Sequence, residues 1–233
     1  MNAEAPTPVP LWRRLSAEFL GTGLLVAIVV GSGIMAERLS SSDVGLQLLE
    51  NSLATALGLV ALILVFQPVS GAHLNPVVTL ADRALGAALR PSGILGYVLV
   101  QIAGAIGGAV LANFMFGVAT TMSTKDRLDT GHLLGEVIAT AGLVLVIFAL
   151  VRTGRAALAA PVVAAWIGAA YWFTSSTSFA NPAVTIGRMF SDTFGGIAPT
   201  SAPWFIGAQI IGGAVGVGLV LLFFPIRTVT SKG

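Results

Sequence analysis

Asn75-Pro76-Val77-Val78-Thr79 and Asn181-Pro182-Ala183-Val184-Thr185 are two copies of one pattern, each set in an apolar, nearly uncharged stretch. A single Asn-Pro pair marks a turn, because proline fixes its own φ and pushes its predecessor out of the helical region. Two matching copies among apolar segments of membrane length constrain the fold much further. They predict two buried half helices, each beginning at an Asn-Pro pair.

The surrounding composition supports a membrane setting. Hydrophobic residues make up 55% of the chain and charged residues 9%, against roughly 25% charged in an ordinary soluble domain. The chain therefore reads as an all-α integral membrane protein. Its net charge of +2 is spread over single basic residues in loops, with no clustered face for a phosphate backbone, which excludes nucleic acid as a partner. Cysteine is absent, so there is no disulfide framework and no thiolate metal site. With no nucleophile–base pair, ligand cluster or phosphate loop, neither an enzyme nor a cofactor is expected. The Pro-rich start, Met1 to Arg14, leads into an apolar run too long for a cleaved signal peptide.

Six segments approach the length of about 20 apolar residues that crosses the hydrocarbon. They are Leu15 to Met35, Leu46 to Val69, Ile94 to Phe116, Leu133 to Val151, Ala156 to Phe173 and Trp204 to Phe224, with charge collected between them at 37–43, 124–130 and 152–155. The stretches 75–85 and 181–190 are too short to span and read as re-entrant half helices. Ala17 to Val26 resembles Gly135 to Val144, and Gln101 to Val110 resembles Gln209 to Gly218. The single channel domain, residues 1–233, thus divides into repeats at 1–117 and 131–227. Three spans per repeat is an odd number, so the second copy is inverted and the half helices meet tip to tip at the midplane. If the N-terminus is cytoplasmic, the inner segments hold eight Lys and Arg, Arg227 and Lys232 among them, and the outer ones four; this bias places both termini inside.

Ser70-Gly71-Ala72-His73-Leu74-Asn75-Pro76, matched one repeat later by a second Asn-Pro-Ala, resembles the re-entrant loops of the aquaporin and aquaglyceroporin superfamily, and the likeness extends over essentially the whole chain. The resemblance implies the aquaporin fold, a homotetramer in the lipid bilayer, and small neutral solutes and water as the passing species. It implies a central constriction at Asn75, Pro76, Val77, Asn181, Pro182 and Ala183. It also implies two rows of pore carbonyls, from Gly71, Ala72, His73 and Leu74 and from Thr177, Ser178, Phe179 and Ala180. Elementary physics agrees with this assignment. Each half helix leaves orphan N–H groups worth roughly half a positive charge at its start, so two facing starts repel cations. Asn75 and Asn181 offer amide donors, the prolines sit where a missing N–H costs nothing, and irregular backbone at membrane depth is tolerated only along a cavity.

Glu18 and Glu136 are the carboxylates nearest to the membrane interior; either they brace the re-entrant loops from behind, as the family implies, or they reach interfacial water. Gln101 and Gln209 read as interhelical hydrogen-bond partners, His73 as a bonded structural residue, and Trp12 and Trp204 as an aromatic belt. The glycines of the third and sixth spans read as close helix packing. Val77 stands where alanine is usual and either packs behind its loop or narrows the constriction.

Water-selective members of the superfamily carry an arginine three residues after the second Asn, with an aromatic on span two and often a His on span five. Here that position is Val184, and counting outward from the motifs without gaps puts Thr55, Ala169 and Ser178 at the other filter positions. This set predicts a wide, weakly polar filter with no Arg, His or aromatic. Arg188 shares a face of its half helix with Val184, about 6 Å further out at 1.5 Å per residue. It either lies as a hydrated cation in the outer vestibule, or snorkels to headgroups or pairs with Asp192.

The function implied is a passive channel for glycerol-like polyols, trivalent metalloid hydroxides such as arsenite and antimonite, and water. The stretches 181–188 and 191–197 resemble bacterial channels associated with arsenic resistance, which implies a bacterial inner membrane. Two alternatives stand beside it, a mainly water-conducting aquaporin and a secondary transporter, since inverted repeats with broken helices also build carriers.

Overall fold

The computed structural model describes residues 9–225, and every regular element among them is helical. Six helices are long and apolar enough to cross a membrane: α1 (Leu11–Leu39), α2 (Val44–Ser70), α4 (Pro91–Phe116), α5 (Thr130–Arg152), α6 (Ala159–Phe173, led in by a 3-10 turn at Ala156–Leu158) and α8 (Ala202–Phe223). Two are short, α3 (Pro76–Ala84) and α7 (Pro182–Arg188). The helices run past the expected loop edges: Glu37, Arg38 and Leu39 still belong to α1, and Thr130 opens α5. Acidic caps explain two of the starts. Asp43 accepts from the Leu46 amide and Asp129 from the His132 amide, both at 2.9 Å, satisfying N–H groups that a helix start leaves without a partner. Arg227 and Lys232 and the end of the second repeat lie outside the described residues.

Close helix contacts follow from glycine. A β-carbon on Gly104 or Gly108 of α4 would overlap the carbonyl oxygens of Phe19 and Gly23 on α1. At the corresponding α5–α8 crossing, a β-carbon on Gly212 would lie 2.5 Å from the Val137 oxygen, and one on Gly216 2.7 Å from that of Ala141. Small residues at these crossings let backbones approach in a bilayer, where association depends on packing rather than on expelling water. The half helices are clamped from both halves of the chain: α3 packs on α4 and α8, and α7 on α4, α8 and α1. Their N-termini face each other in the middle of the bundle.

Candidate channel lumen

Each half helix starts on its asparagine. Asn75 and Asn181 have extended backbones, φ −159° in both, and their side-chain oxygens accept from the amides of Val77 (2.9 Å) and Ala183 (3.0 Å). Pro76 and Pro182 follow in the first turn, where no N–H is needed. The side-chain amides then cross over. Asn75 Nδ2 donates to the Ala180 carbonyl at 2.8 Å, and Asn181 Nδ2 to the Leu74 carbonyl at 2.7 Å. Each NH2 group carries two protons, so one N–H ties the opposite loop and one remains for the lumen.

The loops before these asparagines hold non-glycine residues in the left-handed region: Ala72, Leu74, Thr177, Ser178 and Ala180, with φ from 48° to 62°. Such conformations cost of order 1–3 kcal/mol each and need support from their surroundings. Two buried carboxylates supply it. Glu18 accepts from the His73 and Leu74 amides (3.0 and 2.7 Å), from Ser70 Oγ (2.6 Å) and from Gln101 Nε2 (2.8 Å). Glu136 accepts from the Phe179 and Ala180 amides (both 2.8 Å) and from Gln209 Nε2 (2.7 Å). Turning successive N–H groups to one side makes a concave site for an anion, and it leaves the loop carbonyls for the other side. Both glutamates are fully buried, which answers the interfacial reading of them. Gln101 and Gln209 also donate to Thr79 and Thr185 on the half helices (3.1 and 2.9 Å), so they tie spans to loops. His73 is likewise held, its Nδ1 3.1 Å from Thr79 Oγ1.

A cavity of about 550 Å³ passes the two asparagines. Gly71, Ala72, His73, Leu74, Ser178, Phe179 and Ala180 border it along one strip, whereas Thr177 does not. Its other walls are apolar, with Leu59 and Ile63 of α2, Leu143 and Ile147 of α5, and Val163 and Ile167 of α6. One mouth holds Arg14, His73 and Asp82; the other holds Thr55, Tyr171, Val184 and Arg188. Pro76, Val77, Pro182 and Ala183 are buried behind the constriction rather than on it. A β-carbon on Gly213 of α8 would overlap Val77 Cγ1, so Val77 fills space between helices, in line with the packing reading.

Two expectations are corrected. Ala169 is exposed on the outer side of α6 and does not border the cavity. The lumen face of α6 is the four-residue stripe Ala159, Val163, Ile167 and Tyr171, one turn apart each. Tyr171 borders the cavity there instead, with its hydroxyl 3.1 Å from Thr55 Oγ1. This end of the cavity therefore has an aromatic and is more polar than expected. Spacing alone could have found it, because Tyr171 is the only polar-tipped member of that stripe.

Arg188 also lies elsewhere than its sequence position predicts. It is buried rather than hydrated or snorkelled, its Nε donates to the Gly195 carbonyl, and its Cζ lies 3.4 Å from the centre of the Phe179 ring. Asp192 is occupied elsewhere, accepting from the Thr124 amide at 2.9 Å, which holds this exposed carboxyl below the usual carboxylate range. In the same loop layer, Arg127 donates to the carbonyls of Gly196 (2.7 Å) and Phe194 (3.0 Å). Burial lowers its guanidinium to about 10, which leaves it charged at neutral pH.

The lumen's likeness to known proteins is extensive. The family model described as "Major intrinsic protein" matches residues 6–178. Aquaglyceroporin AqpS of Rhizobium meliloti (strain 1021) is 47% identical over 224 residues, covering 95% of both chains. The glycerol uptake facilitator protein of Pseudomonas aeruginosa is 31% identical over 94% of this chain and 90% of its own. The X-ray structure of the aquaglyceroporin from Plasmodium falciparum superposes with a TM-score of 0.69 at 21% identity, covering 91% of this chain and 96% of that one, a likeness of fold. By the family model and by these relatives alike, the chain belongs to the major intrinsic protein family.

Proposed function

We propose that this chain is a passive channel for small uncharged polyhydroxylated solutes and water, with glycerol-like polyols and the trihydroxy forms of arsenic(III) and antimony(III) passing through the same lumen. One observation carries the reading: a single strip of loop carbonyls and two asparagine amides faces walls of Leu, Ile and Val. A molecule with hydroxyls along one side and hydrocarbon along the other satisfies both faces at once, since each hydroxyl lost from water regains a partner and the apolar edge costs nothing. The names of the Rhizobium and Pseudomonas relatives agree with a polyol. The termini are taken to lie in the cytoplasm and the channel to work as a homotetramer in a bacterial inner membrane, which makes the mouth with Thr55 and Tyr171 the outer one.

A mainly water-conducting pore is the second reading, and the hydroxyl pair of Thr55 and Tyr171 favours it by making the filter more polar than an aliphatic one. Swelling of proteoliposomes separates the two. Under inward gradients of glycerol, the first reading expects shrinkage followed by fast re-swelling far above protein-free vesicles, and arsenite accumulation to equilibrium but no further. Water flux without re-swelling in glycerol supports the second reading, and accumulation of arsenite above equilibrium points to a carrier.

Val184 sets the room in this filter. Val184→Arg adds bulk and charge beside Asn181 and is expected to reduce glycerol and arsenite flux about tenfold or more while reducing water flux less, a size effect of 1–3 kcal/mol in the barrier. Equal loss of all three fluxes in a well-folded variant would count against a size filter.

A further inference from the structure

Among the described residues, Arg188 is a buried cation with no carboxylate against it. Among the described residues, its one hydrogen bond is from Nε to the Gly195 carbonyl, and neither Nη atom has a protein acceptor. Burying a charge this way is unfavourable unless something polar completes it. It borders the polar space of the lumen.

Its direction is fixed by Phe179. That residue precedes Asn181, and so lies at the start of α7, whereas Arg188 is the last residue of the helix. A Cζ-to-ring-centre distance of 3.4 Å means that the side chain runs back along the helix. Helical side chains tilt toward the N-terminus, and an arginine is long enough to recover the one-turn rise of about 6 Å from Val184. The guanidinium thus returns to the level that its position in the sequence places it beyond. Two unpartnered amino groups bordering this cavity, beside the Thr55–Tyr171 pair, make an incomplete polar ring.

We infer that Arg188 is the cationic residue of the selectivity filter, supplied from one turn beyond the usual place. Its Nη groups bind the hydroxyl oxygens of a neutral polyhydroxylated solute, and its charge rejects small cations. Width and charge are set by different residues here: Val184 leaves the bore open, while Arg188, lying flat on Phe179, provides the field. This deepens the channel reading above by naming the residue that excludes cations.

The test is run in proteoliposomes with methylammonium as the cation, ribitol as a polyol longer than glycerol, and water flux as the check for an open, assembled pore. Wild-type glycerol flux tests the channel reading. The methylammonium comparison between variant and wild type tests Arg188 whatever neutral solute passes. Arg188→Val and the milder Arg188→Gln are expected to raise methylammonium entry about tenfold or more, since a unit charge a few ångströms from the path is removed, and to speed ribitol. Val184→Arg combined with Arg188→Val returns an arginine to the filter from the other position and is expected to restore cation exclusion while slowing ribitol. Unchanged methylammonium entry in conducting Arg188→Val or Arg188→Gln channels overturns the inference. So does a conducting double variant that stays as leaky as Arg188→Val. Loss of water flux and of a monodisperse protein in all three variants also overturns it, marking Arg188 as a clamp on the Gly195 loop.

Discussion

Replacing Glu136 by leucine is expected to abolish both the folded channel and its flux. The carboxylate is the shared acceptor of the Phe179 and Ala180 amides and of Gln209, all buried. Leaving a buried donor unsatisfied costs about 1–3 kcal/mol, so three together are a large part of the 5–15 kcal/mol that holds a typical domain. The loss also falls on a loop whose Thr177, Ser178 and Ala180 are held in left-handed conformations. Glu136→Gln keeps the shape but exchanges one acceptor oxygen for a donor, and is expected to fall between wild type and leucine. Thermal unfolding in detergent and vesicle swelling, read together, check the order. A Glu136→Leu protein that melts and conducts as wild type does would refute the bracing role. Glu18→Leu is expected to fail in the same way, through the amides of His73 and Leu74.

Adding one methyl group at Gly108 is expected to loosen the α1–α4 crossing. The new carbon overlaps the Gly23 carbonyl oxygen, a backbone atom that no rotamer change can move. Overpacking of this kind costs about 1–3 kcal/mol, occasionally more, and here two helices must separate along their whole contact. Gly107 is the internal control: it is exposed and a β-carbon there meets nothing within 4 Å. Gly107→Ala is expected to stay within about 0.5 kcal/mol of wild type, as most surface substitutions do. Thermal melts of the two purified variants give the comparison, and equal melting temperatures would remove the crossing argument.

The elements were readable because their signals are local. Apolar runs bounded by charge marked the spans to within a few residues, and the Asn-Pro pairs marked the starts of α3 and α7, since a cap and a first-turn proline act over one turn of chain. The filter was harder to read, for a geometric reason. Counting back from Asn181 to α6 crosses residues 174–180, and an error of two residues there turns a helix by about 200°. That is the difference between exposed Ala169 and lumen-facing Tyr171. Arg188 is hard to read for a different reason. Its Cα position follows from helix geometry, but the course of a long side chain depends on the Phe179 ring and the Gly195 carbonyl, which come from loops on either side of α7. The carboxylate braces are only half legible in the sequence, because nothing local in Glu18 or Glu136 says that the amides they serve lie 55 and 43 residues downstream.

The crossed asparagine bonds set an order on biogenesis. Asn75 donates to a carbonyl 105 residues later in the chain, and Leu74 waits for a donor from Asn181. At ribosomal rates of about 5–20 residues per second, the first re-entrant loop spends roughly 5–20 s in or near the membrane before its partner exists. For that interval its tip must be satisfied by water or by the insertion machinery. The first half of the chain is thus born as an unfinished clasp, and the channel closes on itself only when the second tip arrives.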